Sequence, residues 1–568
     1  MAGKTGNIKV IEQLIADGFT YMFGNPGTVE QGFLDALADY PQLRYVLALQ
    51  ESVAVMMADG YARASKRPAL VQLHSSPGIG NAVGALYQAM RGHAPLVCIA
   101  GDAGIKYMNM DAQMAADLTA MMEPVTKYAT IVYDKKSLLR TLRRAVKIAM
   151  TPPMGPVYVC LPLDIMSEIN EEEVFPAHVP DTATLPDPEK ITLFARELNH
   201  ASRPVIFMGD GVAQSKAEKE LTRVAELLGA EVYGVDVGDL NMDTTHPLYC
   251  GTTGHMFGAS SLPITRKGDV LLIVGSYMLP EVFPELGIVY DEQATVMHID
   301  LNAYEIAKNH RVDHSSVSDP KTTLDALASE LERTMTPEQR KAAELRAKMI
   351  ETENRRILAA QFEADATNHA AMPMYMSRFM EELAPLLPND AIIFDEALTN
   401  SPAVTRYFPP KYPGSYFCTR GGSLGVGFPG AIGAKLANPG RVVIGFSGDG
   451  GSMYTIQALS SARRHNIGVK FIVCNNSSYR LLQLNLKQYW KEIGSVEHEM
   501  PLPFDLSVPE TRFDLMAKSM GVNAVRVEKP DQIKEAISMM LADDEPFLID
   551  LVLEGAAHPH LVSVRCGQ

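Results

Sequence analysis

With 568 residues, 46% of them hydrophobic, the chain can bury two or three separate cores. Its formal net charge of −16 argues against a basic nucleic-acid-binding surface, and no run of 18 consecutive apolar residues is available to span a membrane. The six cysteines (98, 160, 250, 418, 474 and 566) are scattered, with no C-x-x-C pair. Most sit in apolar runs, so they read as buried reduced thiols and predict a cytoplasmic location.

In chain order, MAGKTGNIKVIEQLIADGF reads as an amphipathic helix carrying acids, with no secretory apolar core. Short apolar runs then alternate with longer amphipathic stretches: YMFGNPG, YVLAL, PALVQLH, PLVCIAG and PVYVCLP. This strand–helix rhythm predicts parallel sheets covered by helices. The proline- and acid-rich stretch 169–190 reads as a linker. A second unit follows through RPVIFMGDGVA, DVLLIVGS and TVMHIDLNAYEI, then a charged helix over 336–366. A third unit runs through DAIIFDEA, RVVIGFSGDG, VKFIVCNN and PFLIDLVLEG. The predicted fold is α/β with three domains, each a mostly parallel sheet flanked by helices, near 1–170, 190–335 and 370–555, followed by a tail over 556–568.

The strand RVVIGFSGDG ends in Gly448, Asp449 and Gly450. Ligands of such sheets bind at the carboxyl ends of the strands. The glycines let backbone amides approach an anion, and the helix that follows offers its N-terminus to a phosphate. Asp449 supplies a hard oxygen for a divalent cation. The strand VKFIVC brings Asn475 and Asn476 to the same edge, where the Asn476 amide oxygen and the Ser478 carbonyl complete an oxygen-rich Mg2+ site. GDG alone is weak, since MGDGVAQ at 208 matches equally well. GDG followed at this distance by NN, with a helix and a strand between, is far more specific.

On these motifs the chain resembles, over essentially its full length, the thiamine diphosphate enzymes of the pyruvate decarboxylase, acetolactate synthase and benzoylformate decarboxylase superfamily. The resemblance implies pyrimidine-binding, central and diphosphate-binding domains in that order. It implies that Asp449, Asn476 and the Ser478 main chain hold Mg2+ and the diphosphate. It further implies an obligate homodimer, usually built into a homotetramer, with the pyrimidine domain of one subunit facing the diphosphate domain of another. The central domain is left with two readings, an adenine-nucleotide site or no ligand.

Upstream, QE followed by ADGYAR matches the superfamily's catalytic glutamate and places it at Glu51. Its implied task is to bond N1′ of the aminopyrimidine, so that the 4′ nitrogen can deprotonate the thiazolium carbon; an apolar setting would favour the required acid form. Within CTRGGSLGVGFPG, Leu424 matches the wedge that bends the cofactor, and Gly422 matches the carbonyl that receives the 4′-amino group. FGNPGTVEQGF resembles the benzoylformate decarboxylase segment GNPGS, with Thr28 in place of the serine that touches the substrate carboxylate. VQLHSSPGIGNA matches the same enzymes and supplies His74 as a proton carrier or carboxylate partner; His93 reads as structural.

There are departures. Those enzymes carry a second histidine in the central domain, where this chain reads VGSYMLPEVFPEL (274–286), with Glu281 or Val282 near the slot. MDAQMAAD lacks the Phe-Gln pair of acetolactate synthases. YRLLQLNLKQYWKEIG predicts a helix over the cofactor, with Leu481, Leu482 and Asn485 facing inward and Trp490 and Glu492 further along. The tail, with His558, His560 and Arg565, is a candidate lid. The expected activity is nonoxidative decarboxylation of a bulky 2-oxo acid such as benzoylformate to an aldehyde. The alternatives are a 2-hydroxyacyl-CoA lyase or acetolactate synthase-type carboligase, and a noncatalytic cofactor-binding paralogue. The expected partners are a small 2-oxo acid or acyl-CoA, with no nucleic acid and no membrane.

Overall fold

A computed structural model describes residues 3–557; the tail residues His558, His560 and Arg565, expected to form a lid, lie outside them. The first sheet is built from β1 (Tyr21–Gly24), β2 (Arg44–Leu47), β3 (Ala69–Leu73), β4 (Leu96–Asp102), β5 (Ala129–Ile131) and β6 (Val157–Pro162). The second holds β7 (Pro204–Met208), β8 (Glu231–Gly234), β9 (Tyr249–Thr252), β10 (Val270–Val274), β11 (Thr295–Asp300) and β12 (His314–Val317). The third holds β13 (Ile392–Glu396), β14 (Tyr416–Cys418), β15 (Val443–Gly448), β16 (Lys470–Asn475), β17 (Asn523–Val527) and β18 (Phe547–Val552).

Pairing within each sheet is parallel, for instance β15 on β16 and β3 on β4. The first sheet runs β2-β1-β3-β4-β6-β5 and the third β14-β13-β15-β16-β18-β17, the same order by position. The middle sheet differs, running β12-β11-β10-β7-β8-β9, which by position is the 3-2-1-4-5-6 order of dinucleotide-binding folds. Central strands such as VLLIV of β10 are buried along their whole length, as expected where helices cover both faces of a parallel sheet. No helix among the described residues is long and apolar enough to cross a membrane.

The first and third domains share one apolar core, with Val55, Met57 and Leu86 packed in the same cluster as Phe394, Phe428 and Phe471. The helix Glu51–Ser65 is buried nearly all round because it lies between its own sheet and the helix Gly427–Ala437. The two helices cross so closely that a Cβ on Gly60 would lie 2.0 Å from the Gly430 carbonyl oxygen. A buried charge cluster ties in the central domain. The Arg63 guanidinium donates to Asp239 Oδ1 at 2.8 Å and to the Cys418 carbonyl at 3.1 Å, and Arg420 pairs with Asp236 at 3.0 Å. Burial would raise the Asp239 carboxyl, but Lys66 and Arg63 hold it down at about 2. The stretch read as a linker is strapped to the first domain: Gln13 Nε2 donates to the Phe175 carbonyl at 2.8 Å, and Arg143 lies 3.8 Å from the Phe175 ring centroid.

Candidate functional site

The carboxyl edge of the third sheet carries the motif that predicted a cation. β15 ends at Gly448 and the helix Asp449–Thr455 begins at once. Asp449 Oδ1 accepts the Gly450 N–H at 2.8 Å. Its other oxygen, Oδ2, is buried without a hydrogen-bond partner. Burial pushes this carboxyl up to about 6, against the opposing pull of the Gly450, Ser477 and Ser478 amides. A buried carboxylate oxygen without a partner is costly, and a hard cation would satisfy it. After β16 the chain turns at Ser477, whose φ is +54°, and Asn476 Oδ1 accepts the Ser478 N–H at 3.2 Å. Tyr479 lies over the turn, so close that a Cβ on Gly450 would come within 2.3 Å of its ring. Asn475 is committed elsewhere, donating to Asp550 Oδ1 at 2.9 Å. The set of Asp449, Asn476 and the Ser478 main chain therefore fits a hard divalent cation.

The matching turn at 209–211 is of a different kind. Asp210 accepts the Gly238 N–H at 2.8 Å and the Asp239 N–H at 3.1 Å, and faces Arg420 at 3.4 Å. Its oxygens are saturated by a domain junction, leaving no role for a cation.

Behind the motif stands Glu396, an acid that no sequence motif singles out. Fully buried at the end of β13, it accepts the Gly425 N–H at 2.5 Å and the Gly427 N–H at 2.6 Å on separate oxygens, and the Ser447 hydroxyl at 3.3 Å. Burial pushes its carboxyl up to about 7. The acid thus ties the Gly422–Leu424 loop to the strand that delivers Asp449. Gly422 has φ +70° and open space on its Cβ side, consistent with an exposed turn. Leu424 and Gly422 line a cavity of about 150 Å3 together with Thr399, Leu481 and, from the central domain, His255. No residue of the first domain lines it.

The candidates of the first domain cluster separately. Glu51 is buried at the start of its helix and held from two sides, by Asn25 Nδ2 at 3.2 Å and Asn81 Nδ2 at 3.0 Å. The buried carboxyl is thus met by two amide donors, one on each oxygen. His74 Nδ1 lies 3.2 Å from Glu30 Oε2, and Glu30, itself buried, also accepts the Gly27 and Gly101 amides at 3.1 Å. Burial raises the Glu30 carboxyl, opposed chiefly by His74. The ring lies tight against the chain: a Cβ on Gly27 would fall 1.8 Å from His74 Nδ1, and one on Gly78 would fall 3.1 Å from Glu51 Oε1. Glu51, His74 and Glu30 thus form one group, while Thr28 is exposed on the adjoining loop. His93 is partly exposed, and desolvation lowers it to about 4.

The predicted helix is present as Arg480–Glu492, and Leu481, Leu482 and Asn485 do face cavities. Trp490 is instead buried in packing. Leu482, Phe257 and Phe283 wall a second, largely apolar cavity of about 630 Å3. In the slot where a second histidine was sought, Val282 is exposed and Glu281 accepts the Ser261 hydroxyl at 2.6 Å. A third cavity, of about 690 Å3, opens at the carboxyl edge of the central sheet between Arg91, Ser276 and Asp300.

Three family models match in the expected order: the thiamine pyrophosphate enzyme N-terminal TPP-binding domain over residues 4–121, the central domain over 191–327, and the C-terminal TPP-binding domain over 399–551. A probable acetolactate synthase large subunit of Methanocaldococcus jannaschii is 30% identical, over 96% of this chain and 91% of its own. A benzoylformate decarboxylase of Pseudomonas aeruginosa is 30% identical, over 96% of this chain and 98% of its own. Among solved structures, the thiamine diphosphate-dependent 4-hydroxybenzoylformate decarboxylase of Rhodococcus jostii superposes with a TM-score of 0.84 at 26% identity, covering 98% of this chain and 100% of that one. With the three domains, their order and full-length relatives in agreement, the chain belongs to the thiamine pyrophosphate-dependent enzymes of the acetolactate synthase and decarboxylase family.

Proposed function

We propose that this protein is a Mg2+- and thiamine diphosphate-dependent carboxy-lyase that converts a bulky 2-oxo acid such as benzoylformate to an aldehyde and CO2. Asp449, Asn476 and the Ser478 carbonyl would hold the metal and, through it, the diphosphate between Gly448 and Gly450. Leu424 and Gly422 would seat the bend of the cofactor. When bound, the thiazolium supplies a nucleophilic carbon and takes up the electron pair left when CO2 departs. Glu51 holds a proton at the pyrimidine nitrogen. His74, oriented by Glu30 at 3.2 Å, steadies the substrate carboxylate or carries a proton, with Thr28 at the rim. The first-domain group and the Leu424 cavity have no wall in common, which favours a homodimer or homotetramer in which each subunit completes the site of another.

The observation that carries the reading is the buried, unpartnered Asp449 Oδ2 at the head of a helix. Isothermal calorimetry of thiamine diphosphate with and without Mg2+ tests it; binding that ignores Mg2+ would sink it. The choice of a decarboxylase is supported by the Glu30–His74 pair and by the apolar 630 Å3 cavity beside Leu482. CO2 release from benzoylformate, set against acetolactate formation from pyruvate and cleavage of a 2-hydroxyacyl-CoA, separates it from its rivals. A carboligase reading draws on the 30% identity to the probable acetolactate synthase of M. jannaschii and on the nucleotide-type strand order beside the 690 Å3 cavity.

A further inference from the structure

Glu51 stands just beyond an edge strand whose outer side is held by another domain. β2 lies at the margin of the first sheet, so the polar groups of Leu47 that point away from β1 need partners from outside the sheet. Both find them on the third domain. The Leu47 N–H donates to His465 Nε2 at 2.9 Å, and the Ser461 hydroxyl donates to the Leu47 carbonyl at 2.8 Å. We infer that His465 and Ser461 are positioning residues for Glu51, acting through this clasp on Leu47. The inference rests on the role proposed for Glu51 above.

The side that applies the clasp is well fixed. Ser461 is buried on the helix Ala458–Arg464, and the His465 N–H prolongs that helix by donating to the Ser461 carbonyl at 3.1 Å. The helix closes at Asn466, whose φ is +49°, with the Ile467 N–H donating back to the Ala462 carbonyl at 2.9 Å. Because Nε2 accepts, the imidazole is neutral with its proton on Nδ1. Burial, and then the charge of Arg464, lower its pKa and favour that form. In the chain this helix lies between the one that begins at Asp449 and β16, which leads to Asn476. The clasp therefore aligns the first domain on the unit that carries the proposed cation motif.

On the receiving side the path to Glu51 is short. Ala48 is buried and its N–H donates to the Gly24 carbonyl at 2.9 Å, so the end of β2 is held from both flanks. Gly24 leads directly into Asn25, which donates to Glu51 Oε1 at 3.2 Å. Along the chain, Leu49 and Gln50 alone separate Ala48 from Glu51, and Gln50 caps the helix by accepting the Ser52 N–H at 2.6 Å. Leu49 is 56% exposed, so this turn has little apolar packing to fix it. The helix body is seated by apolar contact, which is non-directional; the hydrogen bonds on Leu47 are directional and set where the turn begins. An acid that must meet one ring nitrogen needs that precision, since a displacement of about 1 Å costs roughly 100-fold in rate.

The test compares wild type with His465→Ala, which removes the acceptor, and His465→Gln, whose side-chain oxygen can replace it. In cofactor-free protein, NMR hydrogen exchange is expected to show the Leu47 amide protected in wild type and the glutamine variant, and fast in the alanine variant. With thiamine diphosphate and Mg2+ bound, exchange of the thiazolium C2 proton in D2O, read by NMR after acid quench, should slow roughly 10–100-fold in His465→Ala. It should recover in His465→Gln and slow in the same direction in Ser461→Ala, with cofactor affinity by calorimetry unchanged throughout. A Leu47 amide that exchanges freely in wild type overturns the inference, as does wild-type C2 exchange in His465→Ala. Equal losses in the alanine and glutamine variants, or cofactor affinity falling together with C2 exchange, overturn it by marking His465 as structural. C2 exchange that Glu51→Gln leaves unchanged removes the role of Glu51 and the inference with it. The C2 measurement uses no substrate, so a failure to release CO2 from benzoylformate strikes the decarboxylase reading alone.

Discussion

Glu396→Gln offers a measurement of how the Gly422–Leu424 loop is held. Two backbone amides, of Gly425 and Gly427, donate to different oxygens of this carboxylate. A glutamine can accept one of them and must present its own N–H2 to the other. That leaves one buried donor unsatisfied, at about 1–3 kcal/mol. The second effect has the opposite sign and depends on pH. Burial raises the carboxyl from its usual 4.5 to about 7, so the unfolded chain ionises first and wild type loses stability as pH rises from 4.5 through 7. The full loss is about 3 kcal/mol, most of it falling between pH 5 and pH 8.5. The amide has no such charge to bury. Between pH 5 and pH 8.5 the stability difference should therefore move in the variant's favour by about 2–3 kcal/mol. The chain's single tryptophan, Trp490, is buried in the same domain, so its fluorescence during urea unfolding of cofactor-free protein reports the relevant transition. Taking the difference between variant and wild type at each pH cancels the other titrating groups. A difference that stays flat between the two pH values refutes the account of Glu396 as a carboxylate buried at cost.

The remaining expectations concern chemistry. Asp449→Ala should abolish the Mg2+-dependent part of thiamine diphosphate binding by calorimetry while leaving the fold intact by circular dichroism. Glu51→Gln should bind the cofactor but turn over barely at all, read as CO2 release from 2-oxo acids. His74→Ala should slow turnover by roughly 10²–10⁴-fold. Glu30→Gln, which alters only the partner of that ring, should slow it by roughly 10–100-fold; equal losses in the two variants would mean that Glu30 does more than orient His74.

The architecture was legible because central strands are continuous apolar runs bounded by glycine, as in VLLIV and VKFIVC. The strands that escaped are mostly edge or near-edge ones: β5, β9, β12, β14 and β17, with β8 beside β9. β5 is three residues of intermediate burial and β12 reads HSSV, so neither shows the apolar pattern a sequence reader needs. The strand, helix and strand around the proposed cation motif were legible from its spacing, yet sequence could not separate Asp449 from Asp210. What separates them is saturation of the carboxylate by residues 28 and 29 positions away. Glu30 and Glu396 were missed for the same reason. Glu30 meets His74 across 44 positions and Glu396 meets Gly427 across 31. No local pattern records such meetings. The two amides that meet the buried Glu51 carboxyl were invisible for the same reason, Asn81 reaching it from the next helix.

The shared strand order of the first and third sheets gives these placements a common logic. By position β1 corresponds to β13, β2 to β14, β3 to β15 and β4 to β16. After β1 comes the loop with Asn25 and Glu30, and at the end of β13 stands Glu396. In both domains this position holds a buried acid that clamps backbone amides. After β2 comes Glu51 and after β14 comes Leu424, each at the approach to one of the two helices that cross at Gly60 and Gly430. After β3 comes His74 and after β15 comes Asp449. One scaffold has thus been used twice, with side chains suited to holding and moving protons at the edge of one copy and hard oxygens with open backbone at the edge of the other. A coenzyme with a basic ring at one end and a diphosphate at the other needs both edges. Two copies of the same sheet offer one edge of each kind, and the central domain, built to a different order, adds His255 and Phe257 to the walls of the cavities beside Leu424 and Leu482.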